Sequence, residues 1–128
     1  MGTNATVYIK DGDSLICAIE RTCDGYLSGL GMELLEFLKG KKIVNGFSVN
    51  DTWDSFNGMG CLAASLVKHL KHGIGDVYMC FPVVDADEYY SYTIYNKKKT
   101  IYMTVKYGDE EISGPIADLI KNKVFKDN

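Results

Sequence analysis

A single arginine, Arg21, heads the run Arg21-Thr22-Cys23-Asp24-Gly25-Tyr26, and every other strongly basic side chain in the sequence is a lysine. Guanidinium forks onto phosphates and carboxylates with two parallel hydrogen bonds and lies flat on rings, so its placement bears on chemistry. Arg21 continues the parity of Leu15, Cys17 and Ile19, which puts it at the end of a covered strand face, beside an Asp-Gly turn and an aromatic. Two readings follow: the wall of a ligand pocket, or an Arg21–Asp24 ion pair that fastens the turn.

The cluster Gly25-Tyr26-Leu27-Ser28-Gly29-Leu30-Gly31 runs into a helix start, where open backbone N–H groups and the helix dipole suit a phosphate. Ordinary turn chemistry produces the same pattern. Phe56-Asn57-Gly58-Met59-Gly60 repeats it at a second helix, and two such starts can converge on one ligand. His69 and His72, the only histidines, sit three apart in a lysine-bearing last helical turn. They could supply part of a metal site, but no neighbouring ligand completes it, and cations there complement the helix dipole. No nucleophile–base pair, Walker loop or paired-carboxylate motif is present, which disfavours hydrolysis. No cofactor or metal is called for.

The elements that must position these groups are legible from periodicity. Thr6 to Lys10 alternates as a strand, Asp11-Gly12-Asp13 turns it, and Ser14 to Arg21 returns as a central strand, apolar on both faces. Ser28 is the expected cap of a helix carrying Leu30, Leu34, Phe37 and Leu38, stopped by Gly40. Lys41 to Asn57 reads as a long irregular loop holding Phe47, Trp53 and Phe56. A second helix spans Met59 to His72 on a Leu62, Leu66, Leu70 stripe. Val77–Phe81, Glu88–Tyr95 and Thr100–Tyr107 read as a meander, and Pro115 opens a short terminal helix. The expected fold is α+β: one domain over residues 1–128, an antiparallel sheet with two main helices packed on one face and a short C-terminal helix.

Composition narrows the partners. A formal charge of -3 and no basic run beyond the hairpin tip Lys97-Lys98-Lys99 argue against DNA. No apolar stretch reaches membrane-spanning length and no signal pattern opens the sequence, so a cytoplasmic protein is expected. Cys17, Cys23, Cys61 and Cys80 form no CxxC pair and read as reduced, small core residues. Nine tyrosines are many for 128 residues. Tyr89, Ser91, Thr93 and Tyr95 share one strand face, and Tyr90, Tyr92 and Ile94 the other. With Tyr8 and Tyr102 they predict a tyrosine-rich sheet face, suited to homo-oligomer contacts or to a flat base.

The segment from Ile19 to Gly31 resembles a family of small phage and prophage proteins whose pattern runs Tyr-Arg-His-x-Asp-Gly-Tyr-Pro-x-Gly-x-Gly. The likeness continues through Phe56–Ala64, Gly75–Tyr78 and Glu88–Ile94, with Thr22 standing at the histidine position and Leu27 at the proline. Within it, the chain is similar to the anti-Thoeris sponge proteins, which sequester cyclic ADP-ribose isomers in the infected bacterial cytoplasm; some members also hold cyclic oligonucleotides. The resemblance implies a non-catalytic sponge for a small cyclic nucleotide. It carries Arg21, Asp24, Gly25 and Tyr26 over as motif positions. In such a site Arg21 or nearby N–H groups would hold a diphosphate, and Asp24 would accept from ribose or orient Arg21. Phe56, Phe81 or Tyr90 would stack on the base, with Asn57 and Tyr92 completing the candidate set. The rival expectations are a hydrolase that destroys the same signal and a small protein-interaction domain.

Overall fold

Val7 and Ile9 alternate with Tyr8 and Lys10, and the strand they build, β1 (Ala5–Asp11), buries Ala5, Val7 and Ile9 completely. The computed structural model describes residues 2–48, 54–80 and 88–127. Gly12, at φ +62°, turns the chain into β2 (Ser14–Arg21), which pairs antiparallel with β1 so that Ile19 faces Val7 and Arg21 faces Ala5. A π-helical turn (Leu27–Gly31) leads into α1 (Met32–Leu38). Two short strands follow, β3 (Lys42–Val44) and β4 (Ser55–Asn57), and then α2 (Gly58–Leu70). The remainder is β5 (Val77–Cys80), β6 (Tyr90–Lys97), β7 (Thr100–Tyr107) and β8 (Glu110–Pro115), closed by single-turn helices α3 (Ile116–Leu119) and α4 (Val124–Asp127).

Among the described residues the main sheet has six strands, in the order β5-β2-β1-β6-β7-β8. Its class is α+β as expected, but the sheet is mixed. β6 lies along the open edge of β1 and runs parallel to it, pairing Ala5 with Tyr90 and Ile9 with Ile94. A meander makes neighbours of strands that are successive in sequence; here β5 attaches to β2 on the other side of the hairpin, which leaves β1 for β6. The last strand, β8, was not foreseen, and Pro115 ends it while preceding α3. The C-terminal end holds two one-turn helices where one was expected.

Cross-strand register sets the faces. Val7, Ile19, Tyr92 and Val105 form one inner row, and Ile9, Ile94 and Met103 another. Leu34, Leu35 and Leu38 of α1 and Leu62, Leu66 and Leu70 of α2 close over them in a single core. Tyr8, Tyr95 and Tyr102 stand on the opposite face, where the Tyr95 and Tyr102 rings stack at 5.8 Å. β2 is less covered than its apolar sequence implied, because Ile16 remains 40% exposed. Cys23 is exposed rather than packed in the core. No helix among the described residues is long and apolar enough to cross a membrane.

The start of α1 also differs from expectation. Ser28 lies exposed inside the π-helical turn and caps nothing; the position before the turn is Tyr26, which makes no side-chain cap. The region read as an irregular loop contributes the β3–β4 parallel pair, in which Ile43 faces Phe56. Trp53 and Phe81 lie outside the described residues.

Candidate functional site

The Arg21 motif folds into a corner whose polar groups are largely turned on one another. Asp24 adopts φ +57°, and its carbonyl accepts the Leu30 N–H at 2.8 Å. The Tyr26 carbonyl accepts from Gly29 N–H at 3.0 Å, and Gly25 N–H donates to Thr3 at 2.8 Å. Amides of the glycine cluster that sequence offered to a phosphate are therefore used to build the turn. The glycines are also demanded by space. A Cβ on Gly25 would lie 2.6 Å from Ala5 Cβ, one on Gly29 would collide with the Asp24 carbonyl, and one on Gly31 would press the Phe125 ring at 3.1 Å.

Tyr92 fastens this corner from beneath. Its side chain is wholly buried, and its hydroxyl donates to the Gly25 carbonyl at 2.7 Å. Burial, with a smaller push from Tyr90, raises the Tyr92 phenol far above the ordinary tyrosine value, and burial raises Tyr90 too. Asp76 holds the other side. Itself at φ +66°, it accepts Thr22 Oγ1 at 3.2 Å and Cys23 N–H at 3.1 Å on one carboxylate oxygen, and Thr22 N–H on its carbonyl at 2.9 Å.

Arg21 does not pair with Asp24. Its Nη1 donates to Glu33 Oε1 of α1 at 2.7 Å, and Nε lies 3.5 Å from Asp76 Oδ2. The side chain is only 14% exposed, and Nε is a buried donor that finds no hydrogen-bond partner among the described residues. Glu33 is shared: its second oxygen, Oε2, lies 3.9 Å from His69 Nε2 on α2. A run of polar side chains thus leads from the motif, across α1, to α2.

At the end of that chain a groove of about 510 Å³ opens between the two helices. Phe37 of α1, Lys41 just beyond it, Phe56 of β4, and Ser65, Lys68, His69 and His72 on or just past α2 line it. Helical spacing explains the α2 contribution, since positions 65, 68 and 69 fall on one side, next to the buried Leu62–Leu66–Leu70 stripe. His72 lies past α2, which ends at Leu70 rather than at His72 as expected, because Lys71 is extended. The His69 ring stacks on Phe37 with centroids 4.5 Å apart, Phe56 lies 5.8 Å from Phe37, and Lys41 Nζ stands 5.3 Å over the same ring. An aromatic floor with a cationic rim, in the size range of small-molecule sites, suits a flat anion.

Of the described residues that the sequence placed in a ligand site, Phe56 alone lines this groove. Arg21 reaches it through Glu33. Asp24, Gly25, Tyr26 and Tyr92 form the corner behind, with Tyr26 Oη 3.4 Å from Asp24 Oδ1. Tyr90 sits half-buried on the inner sheet face, edge-on to Tyr89. Asn57 accepts the Gly46 N–H at 2.7 Å and so ties the β3 end to the start of α2. Phe37 packs against the core as its place in the apolar row of α1 predicts, and His69 lies in the last turn of α2, but the groove role of both and of the α2 polar edge is not part of the sequence expectation. The available signal was Ser65, Lys68, His69 and His72 at one helical spacing.

Neither protein-family models, nor curated proteins, nor solved structures return a match to this chain.

Proposed function

We propose that the protein is a non-catalytic binder that sequesters a small anionic nucleotide, of the adenine-bearing cyclic kind that the sequence resemblance implies, in the groove between α1 and α2. The observation that carries this reading is the combination of stacked Phe37 and His69 with Lys41 and Lys68 around one cavity of nucleotide-compatible size. The base lies against the Phe37–His69 stack, which at about 1–3 kcal/mol per stacked base is the main attractive contact. Lys41, Lys68 and, when protonated, the imidazoles meet the phosphates. The charge of -3 on the whole chain leaves attraction to this local rim.

A second reading is favoured by one observation: Ser65, His69 and His72 line the same groove, which places two candidate general bases beside any bound phosphate. One experiment separates the two. The protein is incubated with cyclic ADP-ribose isomers, heat-denatured, and the supernatant chromatographed. Intact ligand, together with a raised melting temperature in ligand excess, supports sequestration. A new product peak establishes catalysis. A melting temperature unmoved by any cyclic nucleotide, with no product, overturns both in favour of a protein-interaction domain.

A further inference from the structure

We infer that Arg21 is a positioning residue that acts on the groove at one remove: by neutralising Glu33, it keeps an acidic side chain beside the groove from repelling an anionic ligand. The inference rests on the groove reading above. Its basis is the shared carboxylate, with Arg21 Nη1 on Oε1 at 2.7 Å and His69 Nε2 facing Oε2 at 3.9 Å. Arg21 does not line the groove, yet its guanidinium, the only one in the sequence, holds the carboxylate that faces His69.

The alternatives for Arg21 are poorer. It is 14% exposed, so it does not present a fork to a ligand in the groove. Turn fastening is carried mainly by other groups, since Asp76, Tyr92 and Thr3 bond the motif backbone directly and Arg21 adds only its 3.5 Å contact to Asp76. Burying a guanidinium has a desolvation cost, and here it is offset chiefly by the 2.7 Å contact to a carboxylate on α1, with Asp76 farther away at 3.5 Å. Glu33 would otherwise be a negative charge on the groove side of α1, drawn towards His69 and towards the lysines that the ligand requires. Around His69 the charged and titratable groups are Glu33 from α1, Lys41 beyond it, Lys68 and His72 from its own helix region, and Arg21 and Asp76 through Glu33.

The test is a double-mutant cycle read by calorimetric titration with cyclic ADP-ribose. Arg21→Gln should weaken binding about tenfold, the effect of one uncompensated charge near a protein surface. Glu33→Gln alone should leave affinity equal or a few-fold tighter. The double variant Arg21→Gln/Glu33→Gln should return to within about threefold of wild type, and Arg21→Lys, which keeps the charge, should bind nearly as wild type. Raised ionic strength should shrink the Arg21→Gln effect. Melting curves without ligand identify variants that fold; were Arg21→Gln unfolded, the comparison of Glu33→Gln and Arg21→Lys with wild type still decides. A double variant as weak as Arg21→Gln, or a Glu33→Gln variant weaker than wild type, overturns the inference while the groove reading stands. Wild-type protein that binds no cyclic ADP-ribose overturns both.

Discussion

Tyr92→Phe removes one oxygen atom from the fold and separates scaffold from site. The hydroxyl donates at 2.7 Å to the Gly25 carbonyl, from a side chain with no exposed surface and to a buried glycine. The ring stays, so no large cavity forms and the transfer of apolar surface is unchanged. What is lost is a hydrogen bond worth about 1 kcal/mol net, together with the cost of leaving a buried acceptor without it, about 1–3 kcal/mol. A central value of ~2 kcal/mol lowers the folding constant roughly 30-fold. Spread over the unfolding entropy of a 128-residue chain, it lowers Tm by roughly 7 °C. Urea unfolding by circular dichroism should show the midpoint shifted with an unchanged slope. Cyclic ADP-ribose affinity, measured well below the variant's Tm, should change less than threefold, because Tyr92 lies behind the corner and not in the groove. A stability loss below about 0.5 kcal/mol would refute the assignment of Tyr92 as the corner's anchor. A binding loss of tenfold or more in folded variant would return Tyr92 to the ligand.

Phe37→Ala should weaken cyclic nucleotide binding by roughly 5- to 150-fold in calorimetric titration, the range for loss of one stacking platform. Two glycine substitutions should move stability in opposite directions in urea titrations. Gly29→Ala, whose Cβ meets the Asp24 carbonyl, should cost about 1–3 kcal/mol. Gly60→Ala, which points into open space on α2, should gain ~0.5–1 kcal/mol. Alkaline titration should find stability falling between pH 10 and about 12. There the Tyr8 phenol, pushed up to about 12 by burial and by its 2.8 Å hydrogen bond to Glu88, stays protonated in the folded chain while the unfolded chain ionises. Its stabilising effect is complete below pH 10 and is lost as pH rises, so Tyr8→Phe should flatten that slope in a fluorescence-monitored series.

Local pattern carried much of the fold. The alternation of Val7 and Ile9, the Gly12 turn and the Leu62–Leu66–Leu70 stripe each predicted an element that the structure contains. Strand order was beyond reach, because parallel pairing of β1 with β6 depends on which edge β5 leaves open, and no residue in either strand declares its neighbour. The motif glycines show a different limit. Gly25, Gly29 and Gly31 read as an anion-binding loop, yet close backbone approach needs the same residue type, and only the contacts at Ala5, Asp24 and Phe125 tell the uses apart. Arg21 was singled out for its side chain, and its partner Glu33 was not, since a carboxylate twelve residues away on a helix carries no mark of pairing. The groove residues were each visible but had been given to other tasks: Phe37 to the core, the histidines to the helix dipole.

The parallel contact between β1 and β6 also sets an order of events during synthesis. Strands joined in parallel need a long crossover, and here it contains both main helices and β5. At about 5–20 residues added per second, β6 leaves the ribosome roughly 4–16 s after β1. Until β6 arrives, the β1–β2 hairpin carries an unfilled row of backbone donors and acceptors along β1. A ribbon that waits with its edge open invites pairing with another copy of itself. The yield of folded protein should therefore depend on translation speed, temperature and holding chaperones more steeply than its equilibrium stability does.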